Sequence, residues 1–465
     1  MAEGWSRRQF IERLGLAGLA AAVPLTLRGT KRGQENSPDL PKIEIGNYPK
    51  PDRPITAVVC GYGGRGGYYG WMAGQIPEEW QIVGVAEPIG YRRDAAIKLH
   101  KIAPENTFTT WEHVFNRPKF ADAIVVSTQD AMHTGPTLKA IEMGYDVLLE
   151  KPIAQSWREC EAILKAAQKN KSIVGVCHVL RYAPYFMMMR EVIRSGMIGD
   201  VVSVQHLEPV EHHHFSHSYV RGPWGNKRKS NPVILSKSCH DLDILAYIIG
   251  KPITRVSAFG DLSWFRKENA PKGAPMFCSE GCPVEKTCPY YAQDFYVHKR
   301  KWDTHHIITP DRSDPSILRE LEKGQYGRCV YHCDNDVCDH MVTNLEFGGG
   351  ATASLQVEAM FAEGGRRTRV FCQKGHIEGD MTVMQVVQFE PGKVHVWDGR
   401  KANVDLSGHG GGDMRLVRDF CQAVSKRDAN LLTSSLSNSM ESHRAGFLAE
   451  ESRLQGGQPR GVRRA

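Results

Sequence analysis

The 465-residue chain predicts an α/β protein of two parts. An N-terminal doubly wound parallel sheet is followed by a C-terminal α+β domain with a large, mostly antiparallel open sheet. Three observations carry this expectation. A short β-branched run, Ile55 to Cys60, feeds directly into GlyTyrGlyGlyArgGly at 61–66; buried apolar runs then recur between helical patterns; and beyond residue 200 such runs give way to alternation. Repeated strand–helix units build a parallel sheet whose ligands sit at the carboxyl ends of its strands, whereas alternation marks a sheet with one wetter face.

Composition agrees with a large folded core. Hydrophobic residues make up 41% and charged residues 24%, with Gly 45 and Pro 25, which excludes collagen-like, coiled-coil and largely disordered classes. The 59 Lys and Arg against 52 Asp and Glu give a net charge of +7, with no basic stripe carrying interleaved aromatics, so no nucleic-acid partner is expected.

Residues 1–30 carry paired arginines, Arg7 and Arg8, then a weakly apolar stretch from Leu14 to Leu25. That stretch is shorter than the roughly 20 residues a membrane span needs, so it reads as an export signal and not as an integral membrane segment. SerArgArgGlnPheIle at 6–11 resembles a twin-arginine signal, which implies the twin-arginine export machinery as a partner and a periplasmic destination. Residues 31–54 read as a linker, and 456–465 as a basic tail.

In the stretch 55–175, Gly61 permits a tight turn, Gly63 lets amides approach a pyrophosphate, and Gly66 lets the helix pack close, with Tyr62, Gly64 and Arg65 completing the loop. A second strand ends at Glu87, spaced to accept hydrogen bonds from an adenosine ribose, which favours NAD; Arg92 and Arg93 keep NADP open. After the third strand, at 122–128, Thr128, Asp130 and His133 fall beside the expected nicotinamide ribose. The fourth strand, at 145–149, delivers Glu150, Lys151 and Pro152.

Taken with ArgTyrAlaPro at 181–184 and CysHisAspLeuAsp at 239–243, the glycine loop, SerThrGlnAspAlaMetHis at 127–133 and GluLysPro at 150–152 resemble the Gfo/Idh/MocA oxidoreductase superfamily. The resemblance implies an NAD(P)-binding Rossmann domain at 55–175. It also implies a substrate domain at 176–455 for a sugar, glycoside or cyclitol, and sheets that pair into a homo-oligomer.

In that second domain His178, Arg181 and Tyr182 head a helix running to about Ser195. If 232–245 is helical, Ser236, His240 and Asp243 share one face. His240 is then the candidate base, and Lys151 the cation that holds the substrate oxygen. The resemblance implies an acidic residue at the position of Ser236; its replacement, with Lys237 alongside, leaves Asp243 to orient His240. The segment 211–224 offers His217, Tyr219 and Arg221 to sugar hydroxyls and Trp224 as a stacking face, while His409 opens a further helix near the same pocket.

Six of the 12 cysteines fall in an insertion at 270–340. Cys278, Cys282, Cys288 and Cys333 are the favoured ligands of a structural metal such as zinc, with disulfides as the alternative. The functional expectation is an exported NAD-dependent oxidoreductase acting on CH–OH groups with tightly bound cofactor. Its rivals are a redox-neutral NAD-dependent glycosidase working through transient oxidation, and a catalytically silent carbohydrate-binding protein.

Overall fold

The structure is a computed structural model that describes residues 36–43, 49–299, 305–402 and 404–462. The expected export signal and the last residues of the basic tail lie outside them. Among the described residues no helix is long and apolar enough to cross a membrane.

The first half alternates strand and helix: β1 (Ile55–Cys60), α1 (Gly64–Gln75), β2 (Trp80–Ala86), α2 (Gly90–His100), β3 (Thr107–Phe108), β4 (Ala123–Val126), α3 (Thr134–Glu142), β5 (Asp146–Leu149), α4 (Trp157–Asn170) and β6 (Val174–Val176). The strands are all parallel in the order β3-β2-β1-β4-β5-β6. Every residue of β4 and β5 is buried, as strands covered by helices on both faces must be. The order reverses between β1 and β4, and the crevice outside their carboxyl ends is where this architecture takes ligands.

The second half begins with α5 (Pro184–Arg194) and β7 (Val201–Pro209), followed by α6 (Val233–Ser236), α7 (Cys239–Ile249) and β8 (Ile253–Asp261). After the insertion come β9 (His340–Phe347), β10 (Thr352–Glu358), β11 (Arg367–Cys372), β12 (Gly375–Gly379), β13 (Val383–Gln388) and β14 (Val394–Asp398). With β15 (Arg460–Gly461) they form a nine-stranded sheet, antiparallel except where β7 and β10 run together. Alternate residues of β9, Met341, Thr343, Leu345 and Phe347, are buried, as the alternation predicts.

The chain crosses the expected boundary at 175/176 twice more. Helix α8 (Gly412–Lys426) returns to the first sheet, where Leu416, Val417 and Phe420 pack with Ile55, Trp80 and Ile82. Helix α9 (Leu436–Leu454) contributes Leu436 and Met440 to the core on the sheet's other face, and Ala445, Leu448 and Ala449 to the core of the second half. The insertion keeps a small core of its own around Phe295, Tyr296, Ile317 and Leu321.

One glycine of the first turn has no room for a side chain. A Cβ at Gly66 would stand 2.0 Å from the Gly61 carbonyl oxygen. Gly66→Ala is expected to push α1 off the turn, lowering stability by about 2 kcal/mol or more and weakening nucleotide binding; urea unfolding and NADH fluorescence titration measure the two effects.

Candidate functional site

The crevice between β1 and β4 is built by backbone constraints. Gly61 lies at φ +89, and a Cβ there would meet the Ser127 carbonyl oxygen at 2.6 Å, so the turn can hug β4 only as glycine. Gly64 has open space where a side chain would stand, and Gly63 meets only the Arg92 guanidinium, 3.7 Å from its would-be Cβ. The turn therefore leaves open space at the N-terminus of α1, where backbone N–H groups favour an anion. Thr128, across the crevice, has a buried hydroxyl with no hydrogen-bond partner. Open space at a helix start and an unpaired buried hydroxyl suit the diphosphate and ribose of a dinucleotide.

Glu87 plays a more structural part than its spacing suggests. Its carboxylate accepts from Tyr62 N (2.7 Å) and Ile89 N (2.9 Å), fastening the glycine turn to the end of β2. Arg93 donates to the Glu87 carbonyl (2.7 Å), leaving Arg92 the cation over the turn.

Arg65 joins the turn to the rest of the cleft. Its Nε donates to Glu150 (2.6 Å), Nη1 to Asp413 (2.9 Å) and Nη2 to the Tyr69 hydroxyl (2.9 Å). Burial alone would raise the Glu150 carboxyl, but the charges of Arg65 and Lys151 outweigh it and hold it below the usual carboxylate range. Asp413 in turn bonds the His409 ring (3.0 Å) and backbone (3.1 Å). Asp130 accepts from Trp224 Nε1 (3.1 Å) and Ser230 (2.7 Å), and His133 pairs with the carbonyls of Pro152 (2.7 Å) and Thr128 (3.2 Å). These two residues thus tie loops together at the expected nicotinamide end.

The segment 232–245 is not one helix. α6 stops at Ser236 and α7 starts at Cys239, with Lys237 (φ −111, ψ −59) and Ser238 (φ −95, ψ 12) between them. Lys151 Nζ donates to the carbonyl of Ser236 (2.7 Å) at this break. His240 heads α7 with 5% exposure, and its Nδ1 has no hydrogen-bond partner. Burial, then the charges of Lys151, His178 and His409, push its pKa well below the ordinary imidazole value. The His178 and His409 rings stand 5.7 and 5.9 Å from it, and His443 is 5.3 Å from His178. Neither nitrogen of buried His178 has a hydrogen-bond partner, whereas His443 accepts from Ile153 N (3.0 Å).

Several expected site residues have other partners. Asp243 does not orient His240: it grips Arg181 through both oxygens (2.6 and 2.7 Å), so Arg181 is a buried counter-ion and not a substrate ligand. The Tyr182 hydroxyl donates to Asp419 (2.7 Å). His217 bonds the Tyr296 hydroxyl (2.9 Å) and stacks on Tyr326 (4.7 Å), and Arg221 donates to the carbonyls of Arg328 and Tyr290 (2.7 and 2.6 Å); both face the insertion. Tyr219 is buried between Phe215 and Trp224, whose indole N–H is held by Asp130. Lys237 is buried against Glu208 (3.3 Å). Of the expected metal ligands, Cys278, Cys282 and Cys288 line one cavity with Cys329, while Cys333 lines the neighbouring cleft and bonds the Cys329 carbonyl.

Asp413, His443, Arg366 and His214 join the site only once the chain is folded. His214 is half-buried, and desolvation followed by Lys237, His217 and Lys151 holds its pKa far down, which puts it near Lys151. Only its position beside the named His217 could have pointed to it.

Comparisons with known proteins agree with this geometry. Residues 55–178 match the oxidoreductase family model with an NAD-binding Rossmann fold, and residues 186–282 match the Gfo/Idh/MocA C-terminal domain. Both matched stretches thus resemble the Gfo/Idh/MocA oxidoreductase family. The Bacillus subtilis protein YteT is 24% identical over 327 residues, 64% of this chain and 72% of its own length. The 1,5-anhydro-D-fructose reductase of Ensifer adhaerens is 28% identical over 43% of this chain and 62% of its own, so the match spans less than two thirds of that relative. An inositol dehydrogenase homolog of Azotobacter vinelandii, solved with NADH and myo-inositol, superimposes with a TM-score of 0.62 at 17% identity, covering 88% of this chain and 98% of the other. Levoglucosan dehydrogenase, solved with NADH and levoglucosan, gives 0.66 at 15%, covering 89% and 100%. The first match supports an NAD-dependent oxidoreductase through its NAD-binding Rossmann domain at residues 55–178.

Two outcomes follow. Asp243→Asn strips the buried Arg181 of its counter-charge and is expected to lose about 3–5 kcal/mol in chemical unfolding. His178 and His443 are held by burial near pKa 4 and 3, against 6.5 for an ordinary imidazole. Below pH 6.5 the unfolded chain takes up protons that these folded imidazoles refuse. Stability is therefore full above that value and falls steadily as the pH drops towards 4, as thermal unfolding across that range measures.

Proposed function

We propose that the protein oxidises a secondary alcohol of a sugar, glycoside or cyclitol, with His240 taking the hydroxyl proton and Lys151 holding the oxygen. The reading rests on one observation: the Lys151 ammonium is fixed on the Ser236 carbonyl, near enough to the His240 imidazole that burial and then this charge keep the ring neutral. The glycine turn and Thr128 would hold NAD, which would supply the hydride acceptor.

A base with so low a pKa is weak on its own. Lys151 offsets this from the substrate side, because an ammonium near the hydroxyl stabilises the alkoxide as its proton departs. His178, in ring contact with His240 and with two unpaired nitrogens, is suited to bind a further hydroxyl. Relatives named for anhydro-fructose and inositol, and fold neighbours solved with myo-inositol or levoglucosan, support a polyhydroxylated ring as the substrate class.

The arginine pair at 7 and 8 supports export by the twin-arginine route. Without a pool of free nucleotide outside the cytoplasm, the cofactor has to travel bound and be regenerated in place. A redox-neutral cycle meets that need. A relative named 2,7-anhydro-N-acetylneuraminate hydratase, 25% identical over 40% of this chain, favours it as the second reading.

Incubation with a panel of sugars and cyclitols, followed at the absorbance of NADH, tests the first reading; aglycone release without net NADH tests the second. Lys151→Met and His240→Asn are each expected to lower kcat/KM by about 10²–10⁴-fold while nucleotide binding persists. If both variants turn over like the parent, the assignment of these two residues is wrong. Because His240 stays unprotonated far below the usual range, kcat should not fall as the pH is lowered through 6.5.

A further inference from the structure

The structure assigns Cys278, Cys282, Cys288 and Cys329 as the ligands of a thiolate-bound metal centre, zinc or iron–sulfur in kind, at the root of the insertion. All four carry free thiols and line one small cavity, whose other walls are apolar and aromatic: Pro275, Val284, Tyr290, Tyr291 and Tyr331 among them. Cys278 and Cys329 are brought together by backbone pairing, with Phe277 opposite Arg328, Cys278 N bonding Gly327 O (2.9 Å) and Cys329 N bonding Met276 O (2.9 Å). The turn that follows brings Cys282 and Cys288 to the same cavity. Four sulfurs from two chain segments around an apolar cavity are the donor set that soft metals take.

A second observation points to an anion at this place. Arg221 is 4% exposed, and among the described residues it has no carboxylate partner. Its guanidinium donates to two carbonyls and to Cys278 Sγ (3.7 Å) and lies over the Tyr296 ring (5.9 Å), all of them neutral groups. A buried cation held only by neutral acceptors lacks the counter-charge that would offset its desolvation. Four thiolates around a divalent ion carry a net charge of about −2, and a four-cysteine cluster is also anionic, so either would supply the missing counter-charge. On loading, each thiol gives up its proton to solvent and binds as thiolate, with no change in sulfur oxidation state.

The sulfur spacing separates the two kinds. Among the described residues no three of these sulfurs lie within 4.8 Å of one another. A single tetrahedral ion with bonds of about 2.3 Å needs its sulfurs about 3.8 Å apart and would draw the two segments together, whereas a cluster spans more widely set thiolates. Cys333 and Cys338 lie outside the cavity and serve as internal controls.

The test is elemental analysis and visible absorption of the full-length protein, as purified and after anaerobic reconstitution with zinc(II) or with ferrous iron and sulfide. About one zinc per chain, or iron with matching acid-labile sulfide, is expected. The four cavity thiols should then resist alkylation in the folded protein while Cys338→Ser keeps its metal. Arg221→Met should retain metal about 10–100-fold less well against a chelator, a readout independent of whether Cys282→Ser folds. Failure to bind either metal after reconstitution, or peptide mapping that finds these four sulfurs in disulfides, overturns the proposal.

Discussion

Arg65 is the residue through which the nucleotide turn and the chemical end of the cleft are held in register. It sits in the second half of the glycine loop and contacts a carboxylate from each side: Glu150, at the end of β5, and Asp413, at the start of α8. Glu150 immediately precedes Lys151, and Asp413 holds His409, whose ring faces His240. One guanidinium therefore sets where Lys151 and His409 stand relative to the turn. Apolar side chains of equal volume could hold these elements as firmly. What the charges add is direction, since a planar fork bonding two carboxylates admits far fewer arrangements than a greasy contact.

Among the described residues, the electrostatics at the chemical end follow from the carboxylates near His240 being committed to other partners. Asp243, three residues along the helix, is spent on Arg181; Asp241 is held by Arg366 and His206; Glu208 faces Lys237 and Arg366. These carboxylates are thus neutralised by arginine or lysine, and the largest charge acting on His240 is that of Lys151, with Arg366 adding to it. In this setting a neutral imidazole is the stable form, and proton removal from substrate depends on the ammonium more than on base strength.

Much of this was legible from residues 55–178. There the signals are local: β-branched runs of four to six residues, a glycine turn and an acidic strand end, each acting within its own strand–helix unit. What could not be read was the pairing of charges far apart in the chain. Arg181 and Asp243 are 62 residues apart, and Arg65 and Asp413 are 348 apart. Each looks like a free polar side chain until the fold closes, which is why Arg181 and Asp243 read as site residues and Asp413 did not. The return of α8 to the first sheet was hidden for the same reason: its apolar face is plain in the sequence, but the sheet it covers is not.

The break between α6 and α7 explains why Lys151 and His240 meet. In a continuous helix the Ser236 carbonyl would accept the backbone N–H of His240, four residues on. With Lys237 and Ser238 turned out of helical continuity, that carbonyl becomes one of the unsatisfied acceptors of a helix end, which a buried site cannot leave unpaired. Lys151 takes the place of the missing amide, at 2.7 Å. A lysine arriving from the first sheet is thus drawn to the acceptor that the histidine's own backbone gave up, and the two side chains converge because of that exchange. Replacing the lysine leaves a buried carbonyl without a donor as well as a substrate without its cation.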